Sequence, residues 1–578
     1  MKTGSLMLGN EAVARGAYEA GVRFASAYPG TPSTEITEYI AKYSEIFSEW
    51  APNEKVSVEA ALGASLAGSR AISAMKHVGL NVAADPLFTA SYTGVNAGLL
   101  ICVADDPGMH SSQNEQDSRH YARASKTLML EPSDSAECLS YTRRAYDLSE
   151  EFDTPVLLRL TTRVSHSRGL AQEGGRQEYE KEYKRDPQKY VMMPAMAQKR
   201  HIIVEERMLR LKNFAENTDL NTIEYNSKSI GIITSGMVYN YAKDALGGKA
   251  SYLKLGVVYP LPDKLIEEFR ANVDECYVLE ELDPFIEDHC KALGLKIKGK
   301  EYFTLLGEYS AAMIRKVILN EAPAKTSYLT DLPGRPPVMC AGCPHRGTFY
   351  ALKQIKGLII TGDIGCYTLG ALQPLGMIDT CVCMGASVGM AHGMSKVSAV
   401  RTAAVLGDST FIHSGVTGLI DIVYNKGTST VIILDNSITG MTGHQNNPAN
   451  GLTIKDEPTK QVDLKKLCEA IGVERVFTAD PFDLKAFISL VETELDKDEP
   501  SVIIAQRPCA LLKTVNYGSP YCIDKESCKK CNMCLKIGCP AIFKAEDNTD
   551  INETLCVGCG YCTNLCRFNA ITKGGGQA

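Results

Sequence analysis

The chain has no surplus of positive charge: 61 Lys and Arg stand against 68 Asp and Glu, a formal net charge of -7 at pH 7. Binding to nucleic acid needs a concentrated basic face, so that partner is excluded and a small-molecule substrate is expected. Long apolar runs are missing as well. No stretch reaches the roughly 18 residues of a membrane span, and Met1–Gly9 carries one Lys but no apolar core of leader length. A cytoplasmic protein without membrane attachment is therefore expected. That compartment keeps thiols reduced, so the 20 Cys are not read as disulfides, and those that cluster are read as metal ligands. Nine of them fall between Cys522 and Cys566.

At 578 residues the chain exceeds what one hydrophobic core serves. Its composition, 44% hydrophobic and 22% charged with 48 Gly, is that of α/β proteins. Residues 1–175 alternate short apolar strands with small-residue helices, as at Val22–Tyr28, Ala60–Ala71, Gly98–Val103 and Pro155–Leu160. Residues 176–228 are polar, with a Lys/Glu-rich stretch at Gln177–Lys189 and a long helix expected near Ile203–Asn217, and read as a connector. A compact α/β unit is predicted over 229–330, with strands at Ser229–Thr234, Leu253–Val258 and Cys276–Leu279; it reads as an interaction or scaffold domain without chemistry. The Pro-rich turn Asp331–Pro337 opens the next unit, 331–515, with strands near Gly357–Thr361, Thr402–Leu406, Thr430–Leu434 and Ser501–Ala505. Residues 520–578 hold the cysteine cluster.

That cluster reads Cys528-x2-Cys531-x2-Cys534-x4-Cys539-Pro540, then Cys556-x2-Cys559-x2-Cys562-x3-Cys566. Zinc sites use two Cys pairs, whereas here two triplets are each followed by a fourth Cys. The runs resemble a bacterial two-cluster ferredoxin, in which the fourth Cys of each run crosses to the other cluster. The resemblance implies Cys528, Cys531, Cys534 and Cys566 for one [4Fe–4S] cluster, and Cys556, Cys559, Cys562 and Cys539 for the other. Two features depart from the pattern: four residues precede Cys539, and Arg567 follows Cys566. Cys522 lies outside both runs.

In the unit 331–515 one predicted strand ends in Gly407-Asp408-Ser409 and a later one in Asp435-Asn436-Ser437. Asp408 and Asn436 are hard oxygen ligands at neighbouring strand ends, where open α/β sheets bind ligands, and suit a Mg²⁺ that also holds a diphosphate. The pair resembles the thiamine-diphosphate fingerprint of Gly-Asp-Gly followed by a later Asn, with Ser409 in place of the third Gly. The segment Thr439-Gly440-Met441-Thr442-Gly443-His444-Gln445 resembles the diphosphate- and substrate-recognition segment of 2-oxoacid:ferredoxin oxidoreductases. Cys340-Ala341-Gly342-Cys343-Pro344-His345-Arg346 and Gly362-Asp363-Ile364-Gly365-Cys366 resemble the family's Cys-x-Gly-Cys opening and its Gly-Ile-Gly-Cys turn, both near the cofactor. The resemblance implies that the Ile438 carbonyl is the third protein ligand to the metal. It also places Gly407, Ser409, Thr439, Gly440, Met441, Thr442, Ile364, Gly365, Cys340, Cys343 and Cys366 around the cofactor. His444 and His345 are candidates for handling substrate or protons.

Thiamine diphosphate needs a carboxyl group at its aminopyrimidine, which is general acid/base work. Glu59 is the candidate, opening the small-residue helix Val58–Ser65. The loop Tyr28-Pro29-Gly30-Thr31-Pro32-Ser33 resembles the family's Tyr-Pro-x-Thr-Pro-Ser loop, whose Thr faces the 2-oxoacid carboxylate; alternatively, Ser33 or Thr34 merely caps a helix over Glu35–Tyr43. The polar run Asp105–Arg119 suits a wall of the substrate pocket.

The resemblance to 2-oxoacid:ferredoxin oxidoreductases covers nearly the whole chain. It implies two doubly wound parallel-sheet domains that bind thiamine diphosphate, pyrimidine at 1–175 and diphosphate at 331–515. A transketolase-C-like domain at 229–330 and a two-cluster ferredoxin domain at 520–578 complete the order. The implied reaction is oxidative decarboxylation of an aryl pyruvate with CoA to acyl-CoA and CO₂, with electrons passing through two [4Fe–4S] clusters to ferredoxin. A smaller partner subunit carrying the family's gamma domain, in a heterotetramer, is implied as well. Three other readings are open: a different 2-oxoacid, a non-redox thiamine-dependent decarboxylase, and a plain electron carrier. Eight ligand-spaced Cys have no use in the second, and hundreds of residues of cofactor-binding α/β have none in the third.

Overall fold

The computed structural model describes residues 4–321, 332, 334, 336–397, 401–545 and 548–574. Residues 331, 333 and 335 of the turn-rich boundary expected at Asp331–Pro337 therefore lie outside the described residues. Contacts divide the chain into two units, Met1–Tyr328 and Leu329–Ala578. Among the described residues no helix is long and apolar enough to cross a membrane.

The first unit is built on a seven-stranded sheet. Its order is Val257–Tyr259, Leu128–Leu130, Val156–Thr161, Leu99–Asp105, Ala71–Lys76, Phe24–Ala27 and Phe47–Trp50. Every pairing is parallel except that of the edge strand Val257–Tyr259. Strands such as Leu99–Asp105 and Val156–Thr161 are buried along their whole length, as expected for parallel strands covered by helices on both faces. The segment Ala60–Ala71 divides: it is helical as far as Leu66, and a strand begins at Ala71.

A second sheet in this unit has the order Glu275–Leu279, Ile230–Ser235, Ser251–Leu255, Thr222–Glu224. It shares apolar core with the first, since Met75, Leu99, Val103 and Leu157 cluster with Ile233, Leu253, Phe269 and Ile286. The 24-residue helix Pro194–Asn217 is longer than the expected Ile203–Asn217, because Pro194 at its first position suits a helix start. Its buried Arg200 and Arg207 donate to the main-chain oxygens of Tyr92 and Ser91, which ties it to the first sheet. The charged stretch ahead of it lies as a strap on the unit, with Gln177 N–H donating to Glu19 O and Lys181 N–H to Gly68 O.

The second unit is a six-stranded, wholly parallel sheet in the order Thr380–Cys381, Leu358–Gly362, Arg401–Gly407, Thr430–Asp435, Ser501–Gln506, Arg475–Ala479. The cysteine-rich segment follows as two small antiparallel ribbons, Tyr521–Ile523 with Ile571–Lys573 and Ile542–Lys544 with Thr549–Ile551. It shares a core with the sheet layer: Tyr350, Phe482 and Phe487 cluster with Ile523, Ile542, Tyr561 and Leu565.

Candidate functional site

Strands Arg401–Gly407 and Thr430–Asp435 pair in parallel with Gly407 opposite Leu434, so Asp408 and Asn436 leave the same sheet edge side by side. Both are buried. Burial pushes the Asp408 carboxyl up to about 7 and the negative Asp435 adds to the rise, while the Ser409 N–H and the Asn447 side chain oppose it. Its Oδ2 has no hydrogen-bond partner among the described residues. A buried carboxylate oxygen left without a donor is costly, and with the amide of Asn436 at the neighbouring strand end it fits a hard cation of Mg²⁺ type.

Asn436 accepts from the Ile438 N–H at 3.3 Å, and its Nδ2 lies 3.5 Å from His345 Nε2. Residues 439–445 form a closed loop, with Thr439 and Gln445 exchanging main-chain hydrogen bonds of 3.0 and 3.1 Å. Within it Met441 is half exposed, and Gln445 Nε2 donates to Thr442 O at 3.0 Å. His444 is exposed and in the left-handed region at φ 69°. His345 is buried, and burial pushes its pKa down to about 4, so at neutral pH it is an uncharged imidazole beside Asn436. On the next strand end, Asp363 accepts from the N–H groups of Gly385 and Ser387 and pins their loop. The Tyr367 ring packs over Gly365 and Gly407, where an added Cβ would come within 2.4 and 2.7 Å of it.

Cys340, Cys343 and Cys366 border this loop and converge with Cys509, which sequence reasoning left among the scattered thiols. Burial pushes Cys366 up to about 11 and Cys509 and Cys340 add to the rise; burial likewise pushes Cys343 up to about 12, with Cys366 and Cys340 adding. Cys509 N–H donates to Asn436 O at 3.0 Å, and Cys366 Sγ lies 3.3 Å from the Cβ position of Gly440. The Cys340-x2-Cys343 loop also shares a backbone feature with the ferredoxin-like runs. The residue before the second Cys is left-handed in each, at Gly342 (φ 72°), Lys530 (53°) and Gly558 (77°).

In the C-terminal segment one apolar void is lined by Cys528, Cys531, Cys534 and Cys566, and a second by Cys539, Cys556, Cys559 and Cys562. The thiols thus group across the two runs. Cys556 Sγ accepts from the Tyr521 N–H at 3.4 Å and Cys566 Sγ from the Ala570 N–H at 3.3 Å. Cys522 faces Thr572 instead, 3.7 Å away.

In the first unit Thr31 is half-buried and Glu59 is exposed, paired with Lys55 one turn away on the helix Glu54–Leu66. The helix after the Thr31 loop is Thr34–Ile40, not Glu35–Tyr43, and Ser33 does not cap it. The Ser33 hydroxyl donates instead to Gly30 O at 2.8 Å, which closes the loop.

Lys76 is the residue missed here. It ends a strand whose neighbours run into the Thr31 loop and the polar run from Asp105. Its stem lies 3.2 Å from the Cβ position of Gly30, and its Nζ donates to Ser111 O at 2.8 Å. Ser111 Oγ donates in turn to Thr31 O at 3.3 Å. Burial pulls the Lys76 pKa down, against the opposing charges of Asp106 and Glu54. A lysine at a strand end is usually a solvated surface charge, so the sequence alone carried no signal.

Three family descriptions match the chain: "Pyruvate flavodoxin/ferredoxin oxidoreductase, thiamine diP-bdg" over residues 15–230, "Thiamine pyrophosphate enzyme, C-terminal TPP binding domain" over 363–505, and "4Fe-4S binding domain" over 549–572. Indolepyruvate oxidoreductase subunit IorA of Archaeoglobus fulgidus is 39% identical, the match covering 98% of this chain and 97% of that one. The same subunit from Methanothermobacter thermautotrophicus is also 39% identical, with the same coverage. A solved 2-oxoglutarate:ferredoxin oxidoreductase from Magnetococcus marinus is 20% identical over 55% of this chain and 65% of that one, with a TM-score of 0.48. The chain binds thiamine diphosphate and [4Fe–4S] iron–sulfur, and it belongs to the IorA family of thiamine-diphosphate-dependent 2-oxoacid:ferredoxin oxidoreductases.

Proposed function

We propose that this 2-oxoacid:ferredoxin oxidoreductase acts in the cytoplasm on an aryl pyruvate and CoA, giving acyl-CoA and CO₂, together with a smaller partner subunit in a heterotetramer. The observation that carries the reading is the sheet edge of the second unit, where an oxygen-donor set and a thiol set meet around one loop. Asp408, Asn436 and the Ile438 carbonyl would hold Mg²⁺. Gly407, Ser409, Ile364, Gly365 and the loop Thr439–Thr442 would hold the diphosphate. Thiamine diphosphate, when bound, supplies the carbanion chemistry that splits off the substrate's carboxylate. The chain's own contribution is binding, orientation and proton handling. Glu59, exposed, offers a carboxyl to the aminopyrimidine. Thr31 supplies a hydroxyl, and Lys76 a poorly solvated cation, to the substrate carboxylate. His345 stays neutral beside Asn436 and adds no charge to the diphosphate site.

Cys528, Cys531, Cys534 and Cys566 would ligate one [4Fe–4S] cluster, and Cys539, Cys556, Cys559 and Cys562 a second. We extend this to Cys340, Cys343, Cys366 and Cys509, which offer a third set of four thiols next to the cofactor loop. The related chains named for indolepyruvate, each called a subunit, support both the aryl preference and the partner. The test is ferredoxin reduction by the co-expressed complex with a panel of 2-oxoacids and CoA. The highest kcat/KM is expected for aryl pyruvates; a preference for pyruvate or 2-oxoglutarate would overturn the substrate assignment.

A further inference from the structure

Among the described residues, Arg346 is the one strongly basic residue of the second unit's buried interior, and the reading above gives it no task. The residue is only 4% exposed. It donates to the main-chain oxygens of Ile537 at 2.8 Å and Cys340 at 3.2 Å, and to those of Gly538 and Met339. Carbonyls satisfy donors but carry no net charge. Its Nε has no partner, and no carboxylate pairs with it among the described residues. Buried charges normally find an opposite charge, because desolvation of an unpaired ion is costly. The side that Arg346 faces shows where that opposite charge belongs. Together with Cys343 it lines the void formed by Cys539, Cys556, Cys559 and Cys562, and the sulfurs of Cys539, Cys343, Cys340 and Cys559 oppose the fall that burial imposes on its pKa.

We propose that Arg346 is the fixed cation that sets the reduction potential of the cluster held by Cys539, Cys556, Cys559 and Cys562, raising it above that of the cluster at Cys528, Cys531, Cys534 and Cys566. The proposal rests on the ligand sets given above. Reduction of a [4Fe–4S]²⁺ cluster by one electron, here from the oxidation of the 2-oxoacid, adds one negative charge without breaking a bond. A cation in a low-dielectric surround favours the more negative state. The other void has no such residue: Lys529, which lines it, is exposed and its charge is screened by solvent. Of the two C-terminal clusters, the electron therefore rests by preference on the one beside Arg346, whose void Cys343 also lines.

The test is an anaerobic redox titration of the intact enzyme by electron paramagnetic resonance, on wild type, R346M and R346K. R346M should keep its iron while the midpoint of the cluster at Cys539, Cys556, Cys559 and Cys562 moves negative by at least a tenfold change in the one-electron equilibrium, 59 mV. The midpoint of the cluster at Cys528, Cys531, Cys534 and Cys566 should stay, and R346K, which keeps the charge but cannot reach all four carbonyls, should remain near wild type. Unchanged midpoints in R346M would overturn the proposal. So would a 59 mV fall in R346K, which remains measurable even if R346M loses its iron. C562S checks the ligand set separately. If that variant keeps all its iron and every signal, the ligand reading is wrong and the role of Arg346 falls with it.

Discussion

Removing the charge of Asp408 should make the metal-free chain more stable while destroying its cofactor site. The carboxyl is buried with an unpartnered Oδ2, and burial with help from Asp435 lifts its pKa from 3.8 to about 7. That is roughly three units, and at about 1.36 kcal/mol per unit the ionised group costs the folded chain about 4 kcal/mol above pH 7. The sign follows from the raised folded-state value. Between about pH 4 and 7 the folded chain holds a proton that the unfolded chain has lost, so this group's stabilisation is complete below about pH 4 and is lost as pH rises through 7. An amide of the same shape has no charge to lose. Asp408→Asn should therefore gain up to about 4 kcal/mol over wild type at pH 8 in the presence of a chelator, and the gain should vanish near pH 4. The readout is amide hydrogen exchange in the strands Arg401–Gly407 and Thr430–Asp435, which reports opening of this region rather than of the whole chain. Calorimetry with Mg²⁺ and thiamine diphosphate should show binding abolished, since a neutral amide is a poor substitute for a carboxylate at a hard cation. A variant less stable than wild type at pH 8, or one that binds the cofactor normally, would refute the reasoning.

Glu59→Gln should bind thiamine diphosphate but lose hydrogen–deuterium exchange at its C2; exchange at the wild-type rate would remove Glu59 from the activating role. Lys76→Met should raise KM for the 2-oxoacid roughly tenfold or more, the effect of losing one charge-assisted contact, with kcat changed far less. An unchanged KM would show that the Lys76 cation does not meet the substrate. Iron and acid-labile sulfide should each number about 12 per chain in the wild type and about eight in Cys509→Ser, as three cubanes and two require. About eight in the wild type would limit the clusters to the C-terminal segment.

The strands and the eight C-terminal thiols were legible in the sequence because both are local signals, an apolar run bounded by turns and a spacing of two to four residues. The placement of Asp408 and Asn436 at one sheet edge was legible for a related reason: each directly follows a recognisable buried strand. Cys509 and Lys76 were not, because nothing near them in sequence reveals their neighbours. The edge strand Val257–Tyr259 was expected within the unit 229–330, yet pairs with Leu128–Leu130 of the first sheet, an attachment that depends on shared core rather than on local pattern. Parallel topology explains why the missed residues still land in the site. All strands of a parallel sheet end on one edge, however many residues separate them in the chain. Leu358–Gly362, Arg401–Gly407, Thr430–Asp435 and Ser501–Gln506 are consecutive neighbours, so Asp363, Asp408, Asn436 and, three residues on, Cys509 must emerge together. In the first unit the same rule brings the Thr31 loop, Lys76 and Asp106 to the ends of Phe24–Ala27, Ala71–Lys76 and Leu99–Asp105, again neighbours in the sheet. The residues just past each buried strand are thus the ones to read for chemistry, including those whose type alone, a lone Lys or a lone Cys, gives no reason to choose them.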